Sequence, residues 1–163
     1  MIALPIKHVK DFMNKLLLQD TFDRFLVSEA SITTFTTFSI DGQLHADFYD
    51  TEKAKELKAQ ERTQVTWQEI KPFCYSVIKG RRTPLAFKFV FQLPSDEVDL
   101  LLARSGLPLT PQDVFGLFFN CQYHGESLTL TTGSSLRIFT MDKSLDQAWD
   151  GMLEDFLRQQ ELE

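Results

Sequence analysis

Lys79, Arg81 and Arg82 put three cations into four positions, inside the run Lys79-Gly80-Arg81-Arg82-Thr83-Pro84. The planar fork of a guanidinium matches pairs of phosphate or carboxylate oxygens, and two adjacent arginines next to a glycine can wrap an anion. Thr83 adds a hydroxyl donor, and Pro84 fixes the exit of the segment. Lys79, Arg81, Arg82 and Thr83 are therefore the candidate anion-binding residues. A plainer reading competes with this one: cations beside the last turn of a helix complement its dipole.

Other chemistry has less support in the residues. The soft or nitrogen metal ligands are His8, His45, His124, Cys74 and Cys121. No pair of them has finger-like spacing or helical i, i+4 spacing, so no metal site is expected. Cys121 and His124 lie three apart on an expected strand and point to opposite faces. An apolar strand face raises the pKa of a thiol and makes Cys121 a core residue rather than a nucleophile. There is no Gly-x-Ser-x-Gly elbow and no glycine-rich phosphate loop, so no cofactor is expected. Asp146, Asp150 and Glu154 recur every four residues. They read as an acidic stripe, solvated or docking a basic partner. Asn120, Gln122, His124 and Arg137 would form a small enzyme site only if neighbouring strands brought them onto one polar face.

These residues need elements to hold them. Val9, Phe12, Met13, Leu16 and Leu17 form one helical stripe over residues 9 to 18. Residues 25 to 49 read as β, with Asp41-Gly42 as a hairpin turn and Leu44, Ala46 and Phe48 on the returning strand. The alternation slips between Ile32 and Phe35, the mark of a bulge or bend. Residues 51 to 65 are polar and read as a short exposed helix or connection. Thr66 to Glu69 form a capping box for a helix that runs through Pro72, with Gly80 as its C′ residue. Leu85 to Leu93 alternate as the clearest strand, Pro94 ends it, and a short helix follows from Ser95. Residues 114 to 140 read as a three-stranded meander, with turns at His124-Gly125-Glu126 and Gly133-Ser134. Ser144 and Gln147 open a last helix, and the polar tail from Gln159 to Glu163 is expected to fray.

Strands that cluster in hairpins argue for an α+β fold: about six antiparallel strands with helices packed on one face. The length suits a single globular domain over residues 1–163. Phenylalanine is abundant, with 15 copies, mostly in period-two runs that suit a core. A net charge of -6 opposes non-specific binding to nucleic acid or anionic membrane, though not a local basic site. No segment approaches the length of a membrane span and no signal-peptide layout is seen. A soluble, cytoplasmic protein is expected.

Asp11 to Leu17, Thr33 to Gly42, Ile78 to Pro84 and Met141 to Leu145 together resemble an uncharacterised bacterial family of unknown function. The resemblance implies a small standalone bacterial protein, with no known activity. The residues themselves favour a non-enzymatic binding module that engages RNA or a nucleotide phosphate through the basic loop. A protein-interaction or assembly domain is the alternative, and a small enzyme on the polar sheet face comes third.

Overall fold

The computed structural model describes residues 1–162. Its centre is one open, fully antiparallel sheet of six strands: β1 (Ala3–Pro5), β2 (Leu26–Thr33), β3 (Thr37–Ile40), β4 (Ala86–Gln92), β5 (Val114–His124) and β6 (Ser127–Leu136). Their spatial order is β1-β6-β5-β4-β2-β3. The helices are α1 (Val9–Leu17), α2 (Thr51–Ala59), α3 (Trp67–Ile78), α4 (Ser95–Ser105) and α5 (Ser144–Gln159).

Strand alternation decides which sheet face is covered. Phe87, Phe89 and Phe91 of β4 and Leu117, Phe119 and Cys121 of β5 are buried in one cluster with Phe12, Trp67, Trp149 and Leu153 from the helices. The phenylalanine-rich core expected from the sequence is present: the Phe91 and Phe119 rings stack at 4.9 Å, and Trp67 meets Phe89 at 4.9 Å. Both tryptophans hold a backbone carbonyl through the indole N–H, Trp67 that of Leu16 and Trp149 that of Phe118, each at 2.8 Å. An aromatic with a polar tip is stably buried only when that tip is bonded.

The first hairpin turns earlier than the sequence suggested. Its tip is Thr34 to Thr36, where the Thr34 N–H donates to the Thr36 carbonyl at 2.9 Å and the Thr33 and Thr37 hydroxyls meet at 3.0 Å. The slip between Ile32 and Phe35 is this turn. Gly42 serves another purpose. Its φ is +73°, and a Cβ there would lie 2.2 Å from the Val27 carbonyl oxygen. The chain thus crosses tightly over the start of β2, and residues 46–48 form a 3₁₀ turn instead of a strand.

Other boundaries shift for similarly local reasons. The capping box at Thr66 and Glu69 is present, but α3 ends on an extended Lys79, so Gly80 is not a left-handed cap. Gly133-Ser134 does not turn, because β6 pairs with β5 through that point as far as Leu136. The sixth strand is supplied by β1, paired to β6. A bulge between Val114 and Gly116 buries Val114 and leaves Phe115 exposed. Ser144 is the first residue of α5 rather than its N-cap, and its N–H and hydroxyl both donate to Asp142.

The tail does not fray over its described part. Glu161 is left-handed, Leu162 donates its N–H back to Leu157 at 2.8 Å, and the Leu162 side chain is buried. This pattern closes the helix end by bonding orphan carbonyls. Glu163 lies outside the described residues. Among the described residues, no helix is long and apolar enough to cross a membrane.

Candidate functional site

The loop from Lys79 to Thr83 joins the C-terminus of α3 to β4, and all five of its residues are exposed. Lys79 donates its N–H to the Tyr75 carbonyl at 2.8 Å, and its ammonium lies 5.5 Å from the Tyr75 ring centroid. That contact steadies the start of the loop and favours the plainer helix-end role for Lys79. Pro84 is buried at the other end, and the Leu85 N–H donates to the Thr33 carbonyl at 2.9 Å. The loop is therefore anchored on both sides.

Between the anchors, the side chains of Arg81, Arg82 and Thr83 form no hydrogen bond or ion pair among the described residues. Of the other arginines, Arg104 also lacks a partner among the described residues, and three are engaged with carboxylates. Arg24 pairs with Glu97 at 3.0 Å, Arg62 with Glu69, and Arg158 with Asp155 at 2.9 Å. Lys71 and Lys88, the nearest cations along α3 and β4, are engaged elsewhere. Lys71 is held by Asp23 at 2.6 Å and by the Gln19 carbonyl at 2.9 Å, while Lys88 pairs with Glu29 at 3.1 Å.

The Leu85–Thr33 bond brings the loop beside the tip of the β2–β3 hairpin. Phe35 at that tip is 91% exposed and meets the Phe38 ring edge-on at 6.0 Å. Leu85 is also exposed. The Gly125-Glu126 turn lies at the same sheet end, since His124 pairs with Ala86, and it brings one carboxylate there. The sequence places Phe35 in a β segment where the alternation slips. The broken alternation around it was the signal that it stands outside.

The polar sheet face is partly assembled. The register sets Asn120 beside Thr131, Gln122 between Lys88 and Thr129, and His124 beside Ala86, all on the face away from the helices. Arg137 does not join them. It follows β6, which ends opposite Val114, and its guanidinium lies 5.7 Å from the Phe115 ring centroid. Six strand steps separate Val114 from Asn120, roughly 20 Å at the usual rise.

Both thiols are buried in apolar surroundings. Burial pushes Cys74 up to about 12 and raises Cys121 further still. Neither is a thiolate near neutral pH, so neither is an activated nucleophile. The acidic stripe of α5 is not a free surface. The Thr132 hydroxyl donates to Asp150 at 2.6 Å, and the Ser134 hydroxyl donates to Asp146. Two of its three carboxylates thus tie α5 to β6.

A family of unknown function, DUF5721, matches residues 15–163. The chain belongs to that family. No curated protein and no solved structure matches it.

Proposed function

We propose that this chain is a non-enzymatic binding module of the bacterial cytoplasm that engages a phosphate-bearing ligand, RNA or a nucleotide, through Arg81 and Arg82. The observation that carries the reading is the unspent state of these two guanidinium groups. They sit side by side on an anchored loop while most arginines of this acidic chain are bound to carboxylates or rings. Holding the loop at both ends lowers the ordering cost of recognition. Phe35 supports a nucleic-acid ligand over a bare anion, because an exposed aromatic beside paired cations suits base stacking next to phosphate contact.

The test is fluorescence anisotropy with a labelled single-stranded RNA, titrated at several salt concentrations. Two phosphates neutralised on a single strand contribute about 1.4 to the log–log salt slope. Arg81→Ala with Arg82→Ala is expected to weaken binding and flatten the slope by that amount. Binding and slope unchanged in the double variant would rule the reading out.

One observation favours the assembly reading as an alternative. Phe139 is 93% exposed, and Met141 and Ile138 beside it are exposed too. Light scattering of wild type and Phe139→Ser across concentrations separates the two readings. A dimer that the substitution dissociates would favour assembly.

A further inference from the structure

The sheet end opposite the basic loop carries a cleft of ≈ 570 Å³. Arg62, Gln64 and Thr66, with the Glu61 carboxylate beside them, form one wall from the connection between α2 and α3, and Asp96 and Asp99 of the first turns of α4 form another. Gln92 and Gly116, near the ends of β4 and β5, lie between them.

Arg62 is the informative residue. Its Nε is buried and, among the described residues, is the buried side-chain polar atom without a hydrogen-bond partner. Both bonds that the side chain makes leave from Nη2, one to the Gln64 carbonyl at 3.2 Å and one to Glu69 Oε1. A guanidinium carries five N–H donors, so most of this one is unused. Glu69 has little to add. The same Oε1 also accepts from the Thr66 N–H at 2.8 Å and from the Thr66 hydroxyl at 3.1 Å. Nε is too enclosed for a ligand to reach it, so the edge of the guanidinium that the cleft can use is Nη1, which makes no bond among the described residues and is not enclosed.

The space next to Arg62 is polar and fixed. Gln64 donates to the Ser28 hydroxyl at 3.1 Å, which in turn donates to Gln92 Oε1 at 3.3 Å. A Cβ at Gly116 would come within 2.9 Å of Gln92 Nε2 and 2.6 Å of the Phe118 ring, so glycine there lets the Gln92 amide lie close over β5. The acidic wall is less committed. Asp96 accepts from the Glu97 N–H at 3.0 Å, while Asp99 is exposed and has no bonded partner among the described residues. Arg24 also borders the cleft but is held by Glu97 at 3.0 Å.

We propose that this cleft binds a small zwitterion of amino-acid or dipeptide size, with its carboxylate on Arg62 and its ammonium toward Asp96 and Asp99. A simple anion meets the acidic wall and a simple cation meets Arg62. Only a ligand with both charges complements both walls. The site is separate from the basic loop and stands or falls without it.

The test is the thermal unfolding midpoint of the full chain with about 10 mM of four probe sets, since a ligand that binds only the folded state raises that midpoint. The sets are the free amino acids, glycyl dipeptides, N-acetyl amino acids and amino-acid amides. A rise with the first or second set is expected, and which of them acts identifies the ligand length. The N-acetyl and amide sets, each lacking one charge, are expected to give none. Asp99→Asn, which breaks no bond of the fold, is expected to keep its own midpoint and to need at least tenfold more ligand for the same rise, as for a lost charge-assisted contact. Arg62→Gln also loses the Glu69 pair and the Gln64 bond, so its own midpoint should fall, and it should need at least tenfold more ligand for the same rise; if it fails to fold, Asp99→Asn decides alone. No rise with either free set, an equal rise with the N-acetyl set, or an unchanged response in Asp99→Asn would overturn the proposal.

Discussion

Replacing Gly42 by alanine tests the crossing that replaces the expected hairpin. Two costs act at this position. The residue holds φ +73°, a left-handed backbone that costs an L side chain about 1–2 kcal/mol. The added Cβ would also lie 2.2 Å from the Val27 carbonyl oxygen and 2.7 Å from that of Ser28. Both neighbours are backbone of β2, fixed between β4 and the 63–66 segment, so neither can swing aside as a flexible side chain would. Overpacking of this kind costs about 1–3 kcal/mol. Reduced freedom of the unfolded chain returns about 0.4–1 kcal/mol. The net expectation is a loss of about 2–4 kcal/mol, read by urea unfolding as a midpoint lowered by roughly 1–2 M.

Two internal controls isolate the contact. Gly106 has a similar φ of +61° with nothing within 4 Å, so Gly106→Ala should cost only about 1 kcal/mol, the conformational part. Gly151 lies inside α5 with open space around it, and Gly151→Ala should stabilise by about 0.5–1 kcal/mol through helix propensity. If Gly42→Ala loses no more than Gly106→Ala, the chain does not cross β2 at this distance and the reasoning is refuted.

Further outcomes follow from the same contacts. Phe35→Ala should leave the unfolding free energy within about 0.5 kcal/mol, since the ring is exposed, and should weaken single-stranded RNA binding by about 1–3 kcal/mol if bases stack there. Neither Cys74 nor Cys121 should react with a thiol reagent at pH 8 in the folded protein, and both should react once it is denatured; rapid native labelling would contradict their burial. Burial acts to raise the Glu69 carboxyl, but the Thr66 backbone bond and Arg62 outweigh it and hold it below the usual range. A depressed carboxylate adds stability that is present above its unfolded pKa and lost as pH falls through the folded value. Glu69→Gln should therefore flatten the acid limb of the stability curve below about pH 4.3, which pH-dependent urea unfolding would show. Trp67→Phe should lose about 1–3 kcal/mol by leaving the Leu16 carbonyl unpaired in the core, measurable by the same unfolding method.

Local periodicity made much of this protein legible from sequence. The stripe of α1, the capping box of α3 and the alternation of β4 each depend on residues within one or two turns or strand steps of each other. Their physics is contained in the segment. The α+β class follows from the same signals, because hairpin-clustered strands have few ways to bury one face.

Long-range contacts decided the rest. Asp41-Gly42 has the composition of a hairpin turn, yet its glycine is required by the carbonyl of Val27, about fifteen residues earlier in the chain. Gly133-Ser134 looks like a turn but is held straight by pairing to β5, and Ala3–Pro5 becomes a strand only because β6 offers it an edge. The acidic stripe of α5 reads as solvated until Thr132 and Ser134 are seen to bond it.

For the candidate site, the sequence supplied the residue types of the basic loop and the tertiary structure supplied their availability. Whether a cation is spent on a carboxylate depends on which segments meet in space. Arg81 and Arg82 were visible as a charge cluster, but only the fold shows that the neighbouring cations Lys71 and Lys88 are spent on Asp23 and Glu29. Arg62, one cation among many in a polar connection, became notable only when folding buried its Nε without a partner.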